Sequence, residues 1–163
     1  MKELVGNYNL FNIANNSEGI CITTNGIVKR NGCAVLGAGL AKTANTLLNI
    51  DRKLGIYLTK YGNRVFNLGR YNINDRTFNV ISFPTKHDWR DNSDINLIRT
   101  SCVQLVQLCD KFNITKCYLP PVGCGLGKLD YNKQVKPLLS NILDDRFVVV
   151  LRNIFWRSVV VLW

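Results

Sequence analysis

Two glycine-rich stretches carry the spacing in this chain best suited to chemistry. The first opens at Asn25-Gly26 and closes on Gly37-Ala38-Gly39-Leu40-Ala41-Lys42-Thr43. The second is Pro120-Pro121-Val122-Gly123-Cys124-Gly125-Leu126-Gly127-Lys128. Glycine lets backbone N–H groups approach phosphate oxygens closely, and a helix that starts there adds the positive end of its dipole. Two such loops in one small domain point to a ligand with two phosphates. Either loop alone is equally well explained by glycines that turn the chain. Neither matches a Walker A loop. Leu36 and Ala41 stand where that motif needs glycine, and the second stretch is one residue short and ends in Leu129. A dinucleotide fingerprint also fails, because Lys42 occupies its third small position and the stretch lies about a dozen residues past its strand.

The elements around the loops alternate. Ile20–Thr24 is short, apolar and β-branched, and reads as a buried strand. Helices are predicted from Leu40 to Leu48 and from Asp51 to Lys60, the latter ended by Gly62. Strands are predicted at Arg64–Leu68 and Phe78–Phe83, around a polar turn over Gly69–Asp75. Ser93 reads as the N-cap of a helix, with Ile95, Ile98, Cys102, Leu105, Cys109 and Phe112 on one face. Lys116–Pro120 leads as a strand into the second loop. Asp130 caps a helix reaching Leu143, and Arg146–Leu151 is a last strand. Alternation of this kind predicts a layered α/β domain with a largely parallel sheet, whose ligands bind beyond the carboxyl ends of its strands.

Composition sets the limits of class. The chain has 163 residues, 47% apolar and 20% charged, which suits one folded domain. It carries 21 Lys and Arg against 11 Asp and Glu, a formal +10, and that excess favours an anionic partner. The six cysteines form no C-x-x-C pair and His87 is the one histidine, so no metal or other cofactor is expected. Most of the cysteines read as small core residues. No run approaches the ~20 apolar residues of a membrane helix. Met1-Lys2-Glu3-Leu4-Val5 lacks an apolar signal region, so a cytoplasmic setting is expected.

The paired loops, in this order and each after a strand, resemble those of macrodomains. The resemblance spans about residues 3–151 and leaves 152–163, with two tryptophans, as an extension without an assigned role. It implies a three-layer α/β/α fold with a mixed, largely parallel sheet. The Pro-x-x-Gly-Cys-Gly-Leu loop and the lysine of Phe83-Pro84-Thr85-Lys86 are most similar to the branch of terminal ADP-ribose glycohydrolases and antitoxins that remove ADP-ribose from DNA. Binding of ADP-ribose is then implied. Gly37, Ala38, Gly39 and Leu40 would approach the diphosphate and distal ribose, with Gly123, Cys124, Gly125, Leu126 and Gly127 on the other side. Asn25 would contact the distal ribose near the bond to be cut and is a second candidate catalytic residue, able with the substrate's phosphate to orient a hydrolytic water. Asn7 would meet adenine where many macrodomains have aspartate. Lys86 would attack the anomeric carbon. An amine at a strand end can do so if its surroundings lower its pKa; otherwise it pairs with phosphate. His87 could move a proton or simply face solvent. Glycohydrolases of this branch carry an aspartate after Gly-Cys-Gly-Leu, whereas this chain has Gly127 and the DNA-acting antitoxins also have glycine.

Three functions follow. The first is hydrolysis of an ADP-ribose linkage to nucleic acid, protein or a 1″-phosphate. The second is a non-catalytic module that binds or sequesters ADP-ribose or a related nucleotide. The third is plain nucleic-acid binding through the basic excess and the aromatics Tyr71, Trp89 and Tyr131. No membrane partner is expected.

Overall fold

A computed structural model describes residues 1–152. β1 (Lys2–Val5) is followed by a short 3-10 turn at Leu10–Asn12 and by β2 (Glu18–Thr24). Two helices come next, α1 (Gly39–Leu48) and α2 (Asp51–Tyr61), then the hairpin β3 (Phe66–Ile73) and β4 (Arg76–Pro84). The long helix α3 (Ile95–Lys111) leads to β5 (Lys116–Leu119). A π-helical turn at Tyr131–Val135 then runs into α4 (Lys136–Ile142), and β6 (Phe147–Leu151) ends the described chain.

The six strands form one sheet in the order β1-β6-β5-β2-β4-β3. Neighbours pair in parallel except β3 and β4, which are antiparallel. Helices cover both faces, so alternate residues of one strand enter different cores. Ile20 and Ile22 of β2 pack with Leu40, Ala44, Leu54 and Leu58 beneath α1 and α2. Cys21 between them packs with Ile98, Cys102, Leu105 and Leu139 beneath α3 and α4. A strand buried on both faces has no polar side to show, which is why β2 and β6 read as unbroken apolar runs. This is the three-layer arrangement with a mixed sheet. Cys21, Cys102, Cys109 and Cys117 are core residues, and burial pushes the Cys102 thiol up to about 12. No cluster of metal-binding side chains occurs among the described residues.

Several boundaries differ from the sequence reading. The polar Gly69–Asp75 stretch is mostly strand. Pairing shifts register between Asn67 and Gly69, and the glycine, at φ 118°, absorbs that bulge. The turn shrinks to Asn74-Asp75, both left-handed, as a two-residue hairpin requires. Helix α3 is capped by Asp94 rather than Ser93. The Asp94 carboxylate accepts from the N–H groups of Asn96 (2.8 Å) and Leu97 (3.4 Å). Strand β1, which no sequence pattern marked, adds to the edge of β6, with Gly6 N donating to Leu151 O. Residues 153–163 of the extension lie outside the described residues.

Candidate functional site

Parallel strands put their carboxyl ends on one edge, and the connections leaving that edge form the site. β1 is followed by Asn7, β5 by the second glycine loop, β2 by the first, and β4 by Lys86. From β1 to β4 is four steps along the sheet, about 19 Å at ~4.8 Å per step. An extended dinucleotide suits that span. Asn7 is exposed at one end and Lys86 half-buried at the other, with the two loops between them.

The first loop is held by its own side chains. Asn25 Oδ1 accepts from Ile27 N (3.0 Å), and Asn25 Nδ2 donates to Val35 O (3.0 Å). Asn25 therefore shapes the loop, with one of its amide hydrogens committed to it. The loop then delivers α1 with no side-chain cap, since Ala38 is the N-cap and has no polar group. The first N–H groups of α1 point from the loop with the helix dipole behind them. Gly37 beside them has nothing within 4 Å of where a Cβ would stand. Leu40, by contrast, is 5% exposed and its side chain belongs to the core, so only its N–H faces the loop.

The second loop has an open tip on packed feet. Gly125 has open space around it and Leu126 is 68% exposed. A Cβ on Gly123 would come within 2.8 Å of Ile98 Cδ1, and one on Gly127 within 2.1 Å of Ser93 Oγ and 2.5 Å of Gly123 O. Gly123 and Gly127 are glycines because the loop folds onto α3. Gly37 and Gly125 have open space where a Cβ would stand. Cys124 Sγ donates to Val122 O (3.4 Å), and burial pushes its thiol up to about 12, so it stays neutral.

The β4–α3 connection joins the two loops. Thr85 N donates to Thr24 O (3.0 Å), and Gly26 N to His87 O (3.0 Å). Asp94 N donates to Thr85 O (2.9 Å), and Ser93 N to Gly127 O (3.0 Å). Lys86 Nζ reaches Leu126 O at 3.5 Å, at the exposed tip of the second loop. Its carbonyl accepts from Asn63 Nδ2 (3.0 Å). His87 Nε2 lies 3.0 Å from Asp94 Oδ2, and this bond, with the helix N–H groups, lowers the Asp94 pKa.

Asn63 carried no signal in sequence, and Ser93, read there as a helix cap, instead closes onto Gly127 of the second loop. Asn63 lies 23 residues from the lysine it positions, in the turn after α2, and no motif connects the two. Of the aromatics singled out in the sequence, Tyr71 and Tyr131 pack against opposite faces of the sheet. Tyr71 Oη donates to Leu68 O on β3, and Tyr131 Oη to Glu3 Oε1. Trp89 is 52% exposed with the Arg90 guanidinium 5.6 Å from its ring, and Tyr61, 54% exposed beneath Lys60 Nζ at 5.1 Å, is a second such surface ring. A groove lined by Tyr57, Arg64, Phe66, Gln104 and Phe112 lies elsewhere and shares no residue with the loops.

No family model matches the chain. Among curated proteins, the DNA ADP-ribosyl glycohydrolases of Mycobacterium tuberculosis and Mycobacterium bovis are 34% identical over 61 residues, 37% of this chain. The match spans 17% of those relatives' length. Among solved structures, Thermosipho africanus DarTG in complex with ADP-ribose aligns over 96% of this chain and 43% of its own, at 20% identity and TM-score 0.73. The macrodomains of Thermus aquaticus DarG (22% identity, TM-score 0.69) and Mycobacterium tuberculosis DarG (21%, 0.70) each align over 93% of this chain and 98% of theirs. The described chain has the macrodomain fold, as the paired loops implied.

Proposed function

We propose that this domain binds ADP-ribose along the carboxyl edge of its sheet and hydrolyses its linkage to a nucleic-acid carrier, with Lys86 as the nucleophile. One observation carries the reading. The Lys86 side-chain nitrogen stands 3.5 Å from Leu126 O, at the open tip of one glycine loop, and Lys86 lies just past β4, the strand beside the one that leads into the other loop. A diphosphate lying between the loops would put the distal ribose next to that amine. The uncapped start of α1 and the open stretches at Gly37 and Gly125 supply backbone N–H groups for the phosphates, at no cost in charge. Asn7, exposed at the far end, is the candidate adenine contact, its amide oxygen accepting from the exocyclic amine.

In the reaction, Lys86 Nζ attacks C1″, the bond from C1″ to the carrier breaks, and the carrier takes the proton that Nζ gives up. Water then releases ADP-ribose and restores the amine. The nucleic-acid carrier is supported by the +10 charge, which backbone phosphate binding leaves free to act elsewhere. It is supported too by the name of the 34% identical relatives, DNA ADP-ribosyl glycohydrolase.

The test is incubation with an ADP-ribosylated DNA oligonucleotide. Wild type should release ADP-ribose. Lys86→Ala should lose turnover while keeping ADP-ribose binding by calorimetry. A second reading, binding without cleavage, is favoured by one feature: position 127 is packed shut and carries no carboxylate. It predicts ADP-ribose binding with no turnover of DNA-, protein- or phosphate-linked substrates. Absence of any binding heat would refute both readings.

A further inference from the structure

Release of the sugar needs water at C1″, and that water must lose a proton. Few groups at this edge can take it. Residues 25–48, which form the first loop and α1, contain no Asp, Glu or His, and neither do residues 120–129 of the second loop. A side chain cannot be placed at 127, where Ser93 Oγ and Gly123 O would meet its Cβ. Asp130 is occupied at the start of the next turn, accepting from Lys133 N at 2.8 Å. Cys124 is neutral and half-buried. The proton acceptors that remain, His87, Asp88, Asp91 and Asp94, lie between β4 and α3, and Asp91 is exposed at the end of the turn that its N–H closes on Asp88 O (3.1 Å).

Within that segment, Asp88 is bound by Arg90 through Nε (2.9 Å) and NH2 (2.5 Å), which lowers its pKa to about 2 and makes it a poor base. His87 is different. Its Nε2 meets Asp94 Oδ2 at 3.0 Å, while Asp94 Oδ1 caps α3. A carboxylate fixed by a helix start and bonded to one imidazole nitrogen sets the tautomer and leaves the other nitrogen as an acceptor. Both partners are tied to the surroundings of Lys86. Asp94 N holds Thr85 O, one residue before the lysine, and Gly26 N holds His87 O, one residue after it. Ser93, next to Asp94, binds Gly127, next to the Leu126 carbonyl that Lys86 touches.

We propose that His87, oriented by Asp94, is the base that activates water for release of ADP-ribose from Lys86. This rests on the hydrolase reading above. In the step, the free imidazole nitrogen takes one proton from water, and the oxygen bonds to C1″ of the lysine adduct. The bond from C1″ to Nζ then breaks, with Nζ taking a proton back. His87 returns its proton to solvent, so the sum is substrate plus water to carrier plus ADP-ribose. His87 is then a catalytic residue and Asp94 a positioning residue.

The experiment compares wild type, His87→Gln, His87→Ala and Asp94→Asn on ADP-ribosylated DNA. Asparagine also caps helices well, so Asp94→Asn keeps α3 while removing the charge. Loss of a positioned base should lower kcat about 10²–10⁴-fold in His87→Gln, with KM falling alongside it and kcat/KM and ADP-ribose affinity nearly unchanged, because the adduct forms as before and only its release slows. The Lys86 adduct should accumulate in that variant, trapped by borohydride and seen in the intact mass. Added imidazole should restore part of the rate to His87→Ala. Asp94→Asn should lower kcat with little change in Tm. Wild-type turnover by His87→Gln, or lost activity without adduct and without imidazole rescue, would overturn the assignment. Failure of wild type to turn over would instead remove the hydrolase reading on which the assignment rests.

Discussion

Replacing Gly127 or Gly125 by alanine should weaken ligand binding in either case but differ in its effect on stability, although both are glycines of one loop. At 127 the new Cβ would lie 2.1 Å from Ser93 Oγ, 2.5 Å from Gly123 O and 2.8 Å from Ser93 Cβ. The serine can give way only by turning an already buried hydroxyl, and the Gly123 carbonyl is backbone. Overpacking of this kind costs about 1–3 kcal/mol. If the loop lifts, the bond from Ser93 N to Gly127 O goes with it, worth roughly 0.5–1.5 kcal/mol. For a domain near 150 residues, each kcal/mol lowers Tm by about 2–4 °C. Gly127→Ala should therefore lose about 2 to 12 °C, and up to about 18 °C if the loop lifts, and ADP-ribose affinity should fall at least about tenfold because the loop tip moves. At 125 no atom lies within 4 Å of the new Cβ, so Tm should stay within about 1 °C. Affinity should still fall, since the methyl projects where the phosphates approach. Ser93→Ala should rescue Gly127→Ala only in part, because it removes the Oγ contact and leaves the Gly123 carbonyl. Scanning calorimetry and titration with ADP-ribose read both quantities. Equal Tm for the two variants, or full rescue by Ser93→Ala, would refute the division into packed feet and open tip.

Asn63→Ala removes the amide that holds the Lys86 carbonyl at 3.0 Å, and should lower kcat about tenfold or more for a cost near 1 kcal/mol in stability, by turnover and melting. Phe147 is fully buried between β6 and the α3–α4 core, so Phe147→Ala should cost about 3–5 kcal/mol, seen in denaturant melts. The Asp94 pKa lies below the usual carboxylate value, so its contribution is fully present above the unfolded pKa near 4. It is lost as pH falls through the lower folded value, and Asp94→Asn should flatten that part of the acid melting profile. With its thiol pushed up to about 12, Cys124 should resist iodoacetamide at pH 7 in the folded protein and react fully once unfolded, by mass spectrometry.

Much of the fold was open to reading along the chain. The apolar runs at Ile20–Thr24 and Phe147–Leu151 carry no alternation because helices cover both faces, and the helix at Asp51 ends at Gly62 as its sequence says. Edge elements were harder. β1 is four residues long and mostly exposed, so it has neither the length nor the pattern of a core strand. The bulge at Gly69 looked like a turn, since a glycine among polar residues is the same signal in both. The paired glycine loops and Lys86 were legible because their chemistry is local: glycine spacing and a lysine after a strand are properties of a few adjacent residues.

What each glycine does was not local. Gly37 and Gly127 look alike in sequence, yet one faces open space and the other is closed by a serine 34 positions earlier. The same holds for the proton acceptor. The sequence supplied a histidine beside Lys86, but only the start of α3 brings a carboxylate to its ring. By itself the sequence determined the layered α/β class, the two phosphate-ready loops and the lysine between them. The tertiary structure decided which loop glycines stand open and which are packed shut, that no side chain fits at position 127, and which groups hold Lys86 in place. The reason is physical: those properties depend on distances between residues far apart in the chain, and such distances exist only once β2, β4 and β5 lie side by side.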